Sequence, residues 1–218
     1  MKDVINKLDS PLFDGINPED RMAMLSCTGY HIRSFQKGDI VAFEEEDIKY
    51  IGIMISGVVD MIKEDIWGNK TMLVRIRENE VFGETFACGT DNLSIVTFQV
   101  SEEARILFMP FGRMMCSCTN SCQFHQRLIE NMVRVIADKN RDLMRKVEIV
   151  SKRSIREKLL TYLSIQAQMQ QSRYFEIPLG RVELAEYLCV DRSALTRELV
   201  KMKAEGLIDY DRNCFRML

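Results

Sequence analysis

The sequence predicts an α+β protein: an N-terminal β-barrel or jelly-roll domain, one long helix, and a small C-terminal domain of helices closed by a hairpin. Three observations carry this. Short β-type runs separated by turn residues fill the stretch from Tyr30 to Met109. From about Gln123 to Val150 the apolar period changes from two to seven. Beyond Ser154 come short amphipathic helical segments and a final pair of strand-like runs. At 218 residues, 46% hydrophobic and 28% charged, the chain can build two small cores.

Asn17 to about Cys27 reads as a short helix, with Pro18, Glu19 and Asp20 in its first turn, where proline and acidic residues suit the exposed N–H groups. Strand-like runs follow. Tyr30–Phe35 stops at Lys37-Gly38-Asp39. Ile40–Phe43 stops at the acidic run Glu44-Glu45-Glu46-Asp47, read as a solvated turn. Tyr50–Ile55 and Val58–Ile62 flank Ser56-Gly57. Trp67-Gly68-Asn69 makes a hairpin turn before Thr71–Ile76, and Ile95–Val100 and Ala104–Met109 complete the series.

In the long helix, Ile129, Ile136, Leu143 and Val150 recur every seven residues, with Met132, Asn140 and Val147 at intermediate positions. A seven-residue apolar stripe is the pattern of a helix packed on a second copy of itself, and a polar Asn140 in the seam can fix register. The simpler alternative is a helix packed only on its own β domain. The expected organisation is residues 1–122 as a β domain, 123–150 as a dimerisation helix, and 151–218 as a winged helix-turn-helix.

That last assignment comes from Leu179–Leu188, an amphipathic helix with Val182, Leu184, Ala185 and Leu188 on one side, followed by Cys189-Val190 as a tight turn. Asp191 is a good N-cap for the next helix, whose buried side would be Leu195, Leu199 and Met202. Arg192, Ser193, Thr196 and Arg197 fall on the other side, near the N-terminus. In such motifs these positions reach base edges in the major groove, and arginine carries a two-pronged donor set that matches guanine. Gly206-Leu207-Ile208 ends the helix and opens a wing turning at Asp209–Arg212. Charge agrees. From Arg145 onward the chain carries +4, against −6 for the rest, so the C-terminal third is the part suited to phosphates.

Other classes find little support. There is no Walker-type loop, dinucleotide fingerprint or His-Glu-x-x-His, so the chain is not expected to be an enzyme. The first eight residues lack the apolar run of a signal peptide, and no stretch approaches the ~20 apolar residues of a membrane span. A cytoplasmic protein with no membrane partner is expected, its seven cysteines being thiols, metal ligands or core residues rather than disulfides.

Taken together, Lys37-Gly38-Asp39, Ser56-Gly57, Phe82-Gly83-Glu84, Val182 through Arg197, and Glu205-Gly206-Leu207-Ile208 resemble, in order and over nearly the whole chain, the CRP/FNR superfamily of bacterial regulators. The resemblance implies a homodimer that binds an inverted-repeat operator in double-stranded DNA through Arg192, Ser193, Thr196 and Arg197, contacts RNA polymerase, and senses a small-molecule effector in the β domain. Many relatives carry glutamate where Ser193 stands, so a different half-site is expected here. Gly83, Glu84 and Thr85 mark the implied effector pocket. Cyclic-nucleotide-binding members place an Arg-Ser or Arg-Thr pair about ten residues further on. Here Ser94 and Ile95 stand there, and no arginine occurs between Arg77 and Arg105. Burying a phosphate without a cation is costly, so cyclic AMP is not the expected effector.

Cys116, Cys118 and Cys122 offer a rival sensor. Three thiols within seven residues suit zinc or an iron–sulfur cluster, with Cys88, Cys27 or His125 as a fourth ligand. The alternative is incidental thiols at a helix start. A further reading, a cyclic-nucleotide-like β domain serving a partner protein without DNA, is disfavoured by the Arg192/Arg197 face.

Overall fold

The computed structural model describes residue 5, residues 7–115 and residues 123–218. By contact the chain divides into two units, Met1–Asp138 and Lys139–Leu218.

In the first unit, helix α1 (Pro18–Thr28) starts on Pro18, Glu19 and Asp20 and ends at Gly29, whose φ of 71° closes the last turn. Strands β1 (His31–Phe35), β2 (Ile40–Ala42), β3 (Tyr50–Glu64), β4 (Lys70–Ile76), β5 (Val81–Phe82) and β6 (Thr97–Pro110) form one six-stranded sheet, with helix α2 (Glu84–Ala87) after β5 and α3 (Phe111–Met115) after β6. The order β1-β6-β3-β4, with β2 also on β6 and β5 on β3, does not close into a barrel; the fold is of the jelly-roll kind.

Four of the expected short strands are halves of two long ones. Tyr50–Ile55 and Val58–Ile62 join as β3, and the runs on either side of Ser101 join as β6. The chain does not break at Ser56-Gly57 because the two strands bend together: their ladder shifts register between Met54 and Val59. Gly57 makes the bend possible. Its φ is 84°, and a Cβ there would fall 2.1 Å from the Glu103 carbonyl oxygen. Ile95 lies outside the strand, which begins at Thr97.

Strand alternation builds two apolar layers. Ile51, Ile53 and Ile55 of β3 and Leu107 and Met109 of β6 face one way, onto Leu12, Phe13, Met24 and Leu25 and onto Leu128, Met132 and Val135 of the long helix α4 (Gln123–Val150). Met54, Ala104, Ile106 and Phe108 face the other way, onto Phe82, Phe86 and Phe98. Buried Asn131 of α4 donates its amide hydrogens to the carbonyls of Leu12 (3.0 Å) and Asp14 (2.8 Å). It thereby fastens the N-terminal segment to the helix.

The second unit contains the end of α4, helix α5 (Ile155–Met169), strand β7 (Tyr174–Glu176), helices α6 (Arg181–Tyr187) and α7 (Arg192–Ala204), and the hairpin β8 (Ile208–Asp211) and β9 (Cys214–Met217), in a sheet ordered β7-β9-β8. Helix α5 starts with a reciprocal cap: Glu157 N–H donates to Ser154 Oγ, and Ser154 N–H donates to Glu157 Oε2. The core gathers Ile149, Leu159, Leu163, Phe175, Leu184, Leu188, Leu195, Leu199, Met202 and Phe215. Among the described residues, no helix is long and apolar enough to cross a membrane.

Candidate functional site

Helices α6 and α7 are joined by a tight turn. Cys189 takes a left-handed φ of 52°, Val190 N–H donates to the Ala185 carbonyl, and the Lys158 ammonium donates to the carbonyl of Leu188 at 3.0 Å. Asp191 caps α7 through Oδ1, which accepts from Ala194 N–H at 2.9 Å. Leu195, Leu199 and Met202 are buried, and Arg192, Ser193, Thr196 and Arg197 are exposed on the other side. The Ser193 hydroxyl donates to Asp191 Oδ1 at 2.6 Å, and the Thr196 hydroxyl donates to the Arg192 carbonyl at 2.9 Å. The Ser193 hydroxyl, with the Ala194 amide, holds the Asp191 carboxyl below its usual range. Both hydroxyls thus bond within their own helix, leaving the two guanidinium groups as the outward-reaching members of the set.

The wing follows. Its hairpin turns at Arg212, φ 49°, whose carbonyl accepts from Arg181 Nη2 at 2.7 Å. The Arg181 guanidinium lies 4.9 Å from the Tyr210 ring centre and 5.2 Å from that of Phe215. Burial lowers its pKa. Arg181 therefore sets the wing from the start of α6, a role hidden in the sequence because its partner is 31 residues away.

In the first unit, Gly83 takes a φ of 80°, and a Cβ there would meet the Tyr50 carbonyl oxygen at 3.0 Å. Glu84 is 3% exposed. Thr85 is exposed and donates to Glu84 Oε1 at 3.4 Å. Ser94 is buried, with its hydroxyl donated to the Val96 carbonyl at 2.7 Å, and Ile95 points outward. The position at which the resemblance implies an arginine in cyclic-nucleotide binders thus holds a small hydroxyl already bonded to its own chain.

Along α4 the expected seam splits. Met132 is buried with Leu128 and Val135 in the first unit's core, and Ile129 is half-buried. Val133, Ile136, Leu143 and Val147 are 62%, 39%, 60% and 55% exposed, and Asn140 is exposed with them. From Ile129 these positions step by four and three in strict alternation. Val133, and not Met132, completes the stripe.

Cys116, Cys118 and Cys122 lie outside the described residues. Cys88 is half-buried, and burial, with the Glu84 charge, pushes its thiol up to about 11. Cys27 is exposed on α1, and His125 is buried near the start of α4. Among the described residues, no three His, Cys, Asp or Glu side chains are grouped to hold a metal ion. His31 is exposed and stacks on Phe108 at 5.3 Å.

Comparison with known proteins agrees with this geometry. Residues 32–115 match the cyclic nucleotide-binding domain model, and residues 157–218 match the Crp-like helix-turn-helix domain model. A search of curated protein sequences finds no match. Among solved structures, the c-di-GMP responsive global regulator CLP of Xanthomonas campestris aligns with a TM-score of 0.62 at 16% identity, over 90% of this chain and 96% of that one. A CooA mutant from Carboxydothermus hydrogenoformans gives 0.64 at 16%, over 89% and 85%. The catabolite activator protein of Thermus thermophilus gives 0.52 at 19%, over 96% and 94%. At these identities the likeness is one of fold.

Proposed function

Because the chain belongs to the CRP/FNR superfamily of transcription regulators, we propose that it acts as a homodimer reading an inverted-repeat DNA operator, switched by an effector other than cyclic AMP. The observation that carries the reading is the N-terminal half of α7: a buried apolar side against an exposed side that presents Arg192 and Arg197. A bidentate arginine–guanine contact is worth about 1–3 kcal/mol of discrimination. The exposed Val133–Val147 stripe supports pairing of two copies along α4. Two-fold pairing places two copies of α7 on half-sites about one helical turn apart.

Gly83, Glu84 and Thr85 are the proposed effector contacts, and buried Ser94 supports exclusion of a cyclic phosphate. The effector shifts the population of dimer states through α4. RNA polymerase is the proposed downstream partner. The cysteines Cys116, Cys118 and Cys122 are the alternative input, through metal or thiol oxidation.

The test is genome-wide DNA capture with purified protein, prepared once without oxygen and once in air, followed by motif discovery. A symmetric motif in both preparations supports the regulator with a small-molecule effector. A motif in one only places the switch on the cysteines. No symmetric motif in either, with the protein folded and dimeric, leaves a missing effector or a partner-binding protein and removes the support for Arg192 and Arg197; a double Arg192→Ala/Arg197→Ala variant that keeps sequence-specific binding overturns the assignment of α7. Calorimetry with cyclic AMP is expected to show no binding at micromolar concentrations; heat of binding there defeats that part alone.

A further inference from the structure

Helix α7 is tied to α5 by one guanidinium. Arg156, in the first turn of α5, donates from Nε to Glu198 Oε1 at 2.6 Å. Its terminal nitrogens donate to Glu205, Nη1 to Oε2 at 2.7 Å and Nη2 to Oε1 at 3.0 Å. Arg156 and Glu198 are partly buried, and Glu205 is exposed. The pairing holds the Glu205 carboxyl below its usual range.

The geometry of the attachment matters. Glu198 and Glu205 are seven residues apart, two helical turns, so they share one face of α7. Glu205 is the C-cap, and Glu198 directly follows Arg197. Arg156 therefore grips α7 near its middle and at its end. Apolar contacts at Leu195, Leu199 and Met202 are non-directional and tolerate small rotations. A guanidinium fork on carboxylates is directional and does not. Any turn of α7 about its axis that breaks the Glu198 bond also swings Arg197. The anchor itself is fixed, since Arg156 sits inside the reciprocal cap of Ser154 and Glu157.

We propose that Arg156 is a positioning residue for DNA reading: by holding Glu198 and Glu205, it sets the rotation at which Arg192 and Arg197 meet base edges, and so governs sequence specificity more than total affinity. This rests on α7 being the DNA-reading helix. Charge and position have separable signatures. Losing the cation uncovers two carboxylates, and their repulsion of phosphates weakens binding to every sequence and is screened by salt. Losing the position weakens only the matched sequence.

The experiment uses the full chain and two duplexes of equal length, one carrying the motif that the wild type selects and one scrambled. Arg156→Lys keeps the charge and loses the fork. Its melting temperature and dimer mass are expected to stay near wild type, while the ratio of matched to scrambled affinity falls about tenfold, the scale of one mismatched base pair, and selection returns a relaxed motif. An unchanged ratio and motif overturn the proposal. If Arg156→Lys does not fold, Glu205→Gln supplies the same readout by weakening only the outer two bonds. A fall in the ratio supports the proposal, and equal losses on both duplexes overturn it. Arg192→Ala/Arg197→Ala is the control for the underlying reading. If that variant retains the wild-type motif, α7 is not the reading helix and Arg156 positions nothing. If it loses the motif while Arg156→Lys keeps it, the positioning role fails alone.

Discussion

The hydroxyl of Ser193 lies 2.6 Å from Oδ1 of Asp191 and donates to it. The bond turns a polar group at the tip of α7 inward, onto the carboxylate that caps the helix. A serine in this state offers little to a base edge. Ser193→Ala is therefore expected to leave the selected DNA motif unchanged. Ser193→Glu introduces an acceptor suited to the cytosine amino group and is expected to change the preferred base at one half-site position. Parallel selection with the three proteins checks both. An altered motif with Ser193→Ala would show that the hydroxyl swings out to the DNA.

The stripe on α4 gives a paired prediction. Leu143→Asp together with Val147→Asp places charges on exposed apolar positions. It is expected to yield a folded monomer by sedimentation, with unchanged far-ultraviolet circular dichroism. Met132→Asp is expected to unfold the first unit instead, because an unpaired buried charge costs at least ~3 kcal/mol and Met132 is 4% exposed. A monomer from Met132→Asp with intact fold would contradict the placement of that side chain.

This pair also shows what the sequence could and could not tell. The seven-residue recurrence of Ile129, Ile136, Leu143 and Val150 is visible without coordinates, as are the strand-rich first half, the cap at Asp191 and the arginines on α7. The choice between Met132 and Val133 is not. Both are apolar neighbours on a helix with one buried and one exposed apolar face, and periodicity alone does not say to which face each belongs. The merging of strands across Ser56-Gly57 was hidden for a related reason: a glycine at positive φ ends a strand in one setting and bends it in another. Arg156 and Arg181 were illegible because their partners lie tens of residues away, and nothing local marks a side chain for a distant carboxylate or carbonyl.

Asn131 supplies a stability prediction. Its amide satisfies the backbone carbonyls of Leu12 and Asp14. Asn131→Leu leaves both unpaired and is expected to cost about 1–3 kcal/mol in urea denaturation. Asn131→Asp, which sets a carboxylate against two carbonyls, is expected to cost more. Equal stability of wild type and Asn131→Leu would mean that the segment detaches freely.

Acid should loosen the second unit. Glu157, held low by Ser154, Asp191 by Ser193, Glu205 by Arg156 and Asp209 by Lys203 all have carboxyls below their ordinary values of 3.8 to 4.5. A depressed carboxyl stabilises the folded form fully above its ordinary value and loses that contribution as pH falls from there through its lower value in the folded protein. The denaturation midpoint of the second unit is expected to be flat above about pH 5 and to fall below it. Replacing Glu205 with Gln should shrink the acid limb; a limb of unchanged depth would assign the loss to other groups.

Ile149 is 1% exposed and belongs to the core of the second unit, although it is the next-to-last residue of α4. A fragment cut at the end of the long helix, starting at Ser151, would carry the whole helix-turn-helix and wing but leave a side-chain-sized void in its core. Emptying such a site costs about 2–5 kcal/mol, a large share of what a domain of that size holds in reserve. The DNA-reading part is therefore not a detachable module at its obvious seam: its smallest self-sufficient piece includes the last turns of the helix that precedes it.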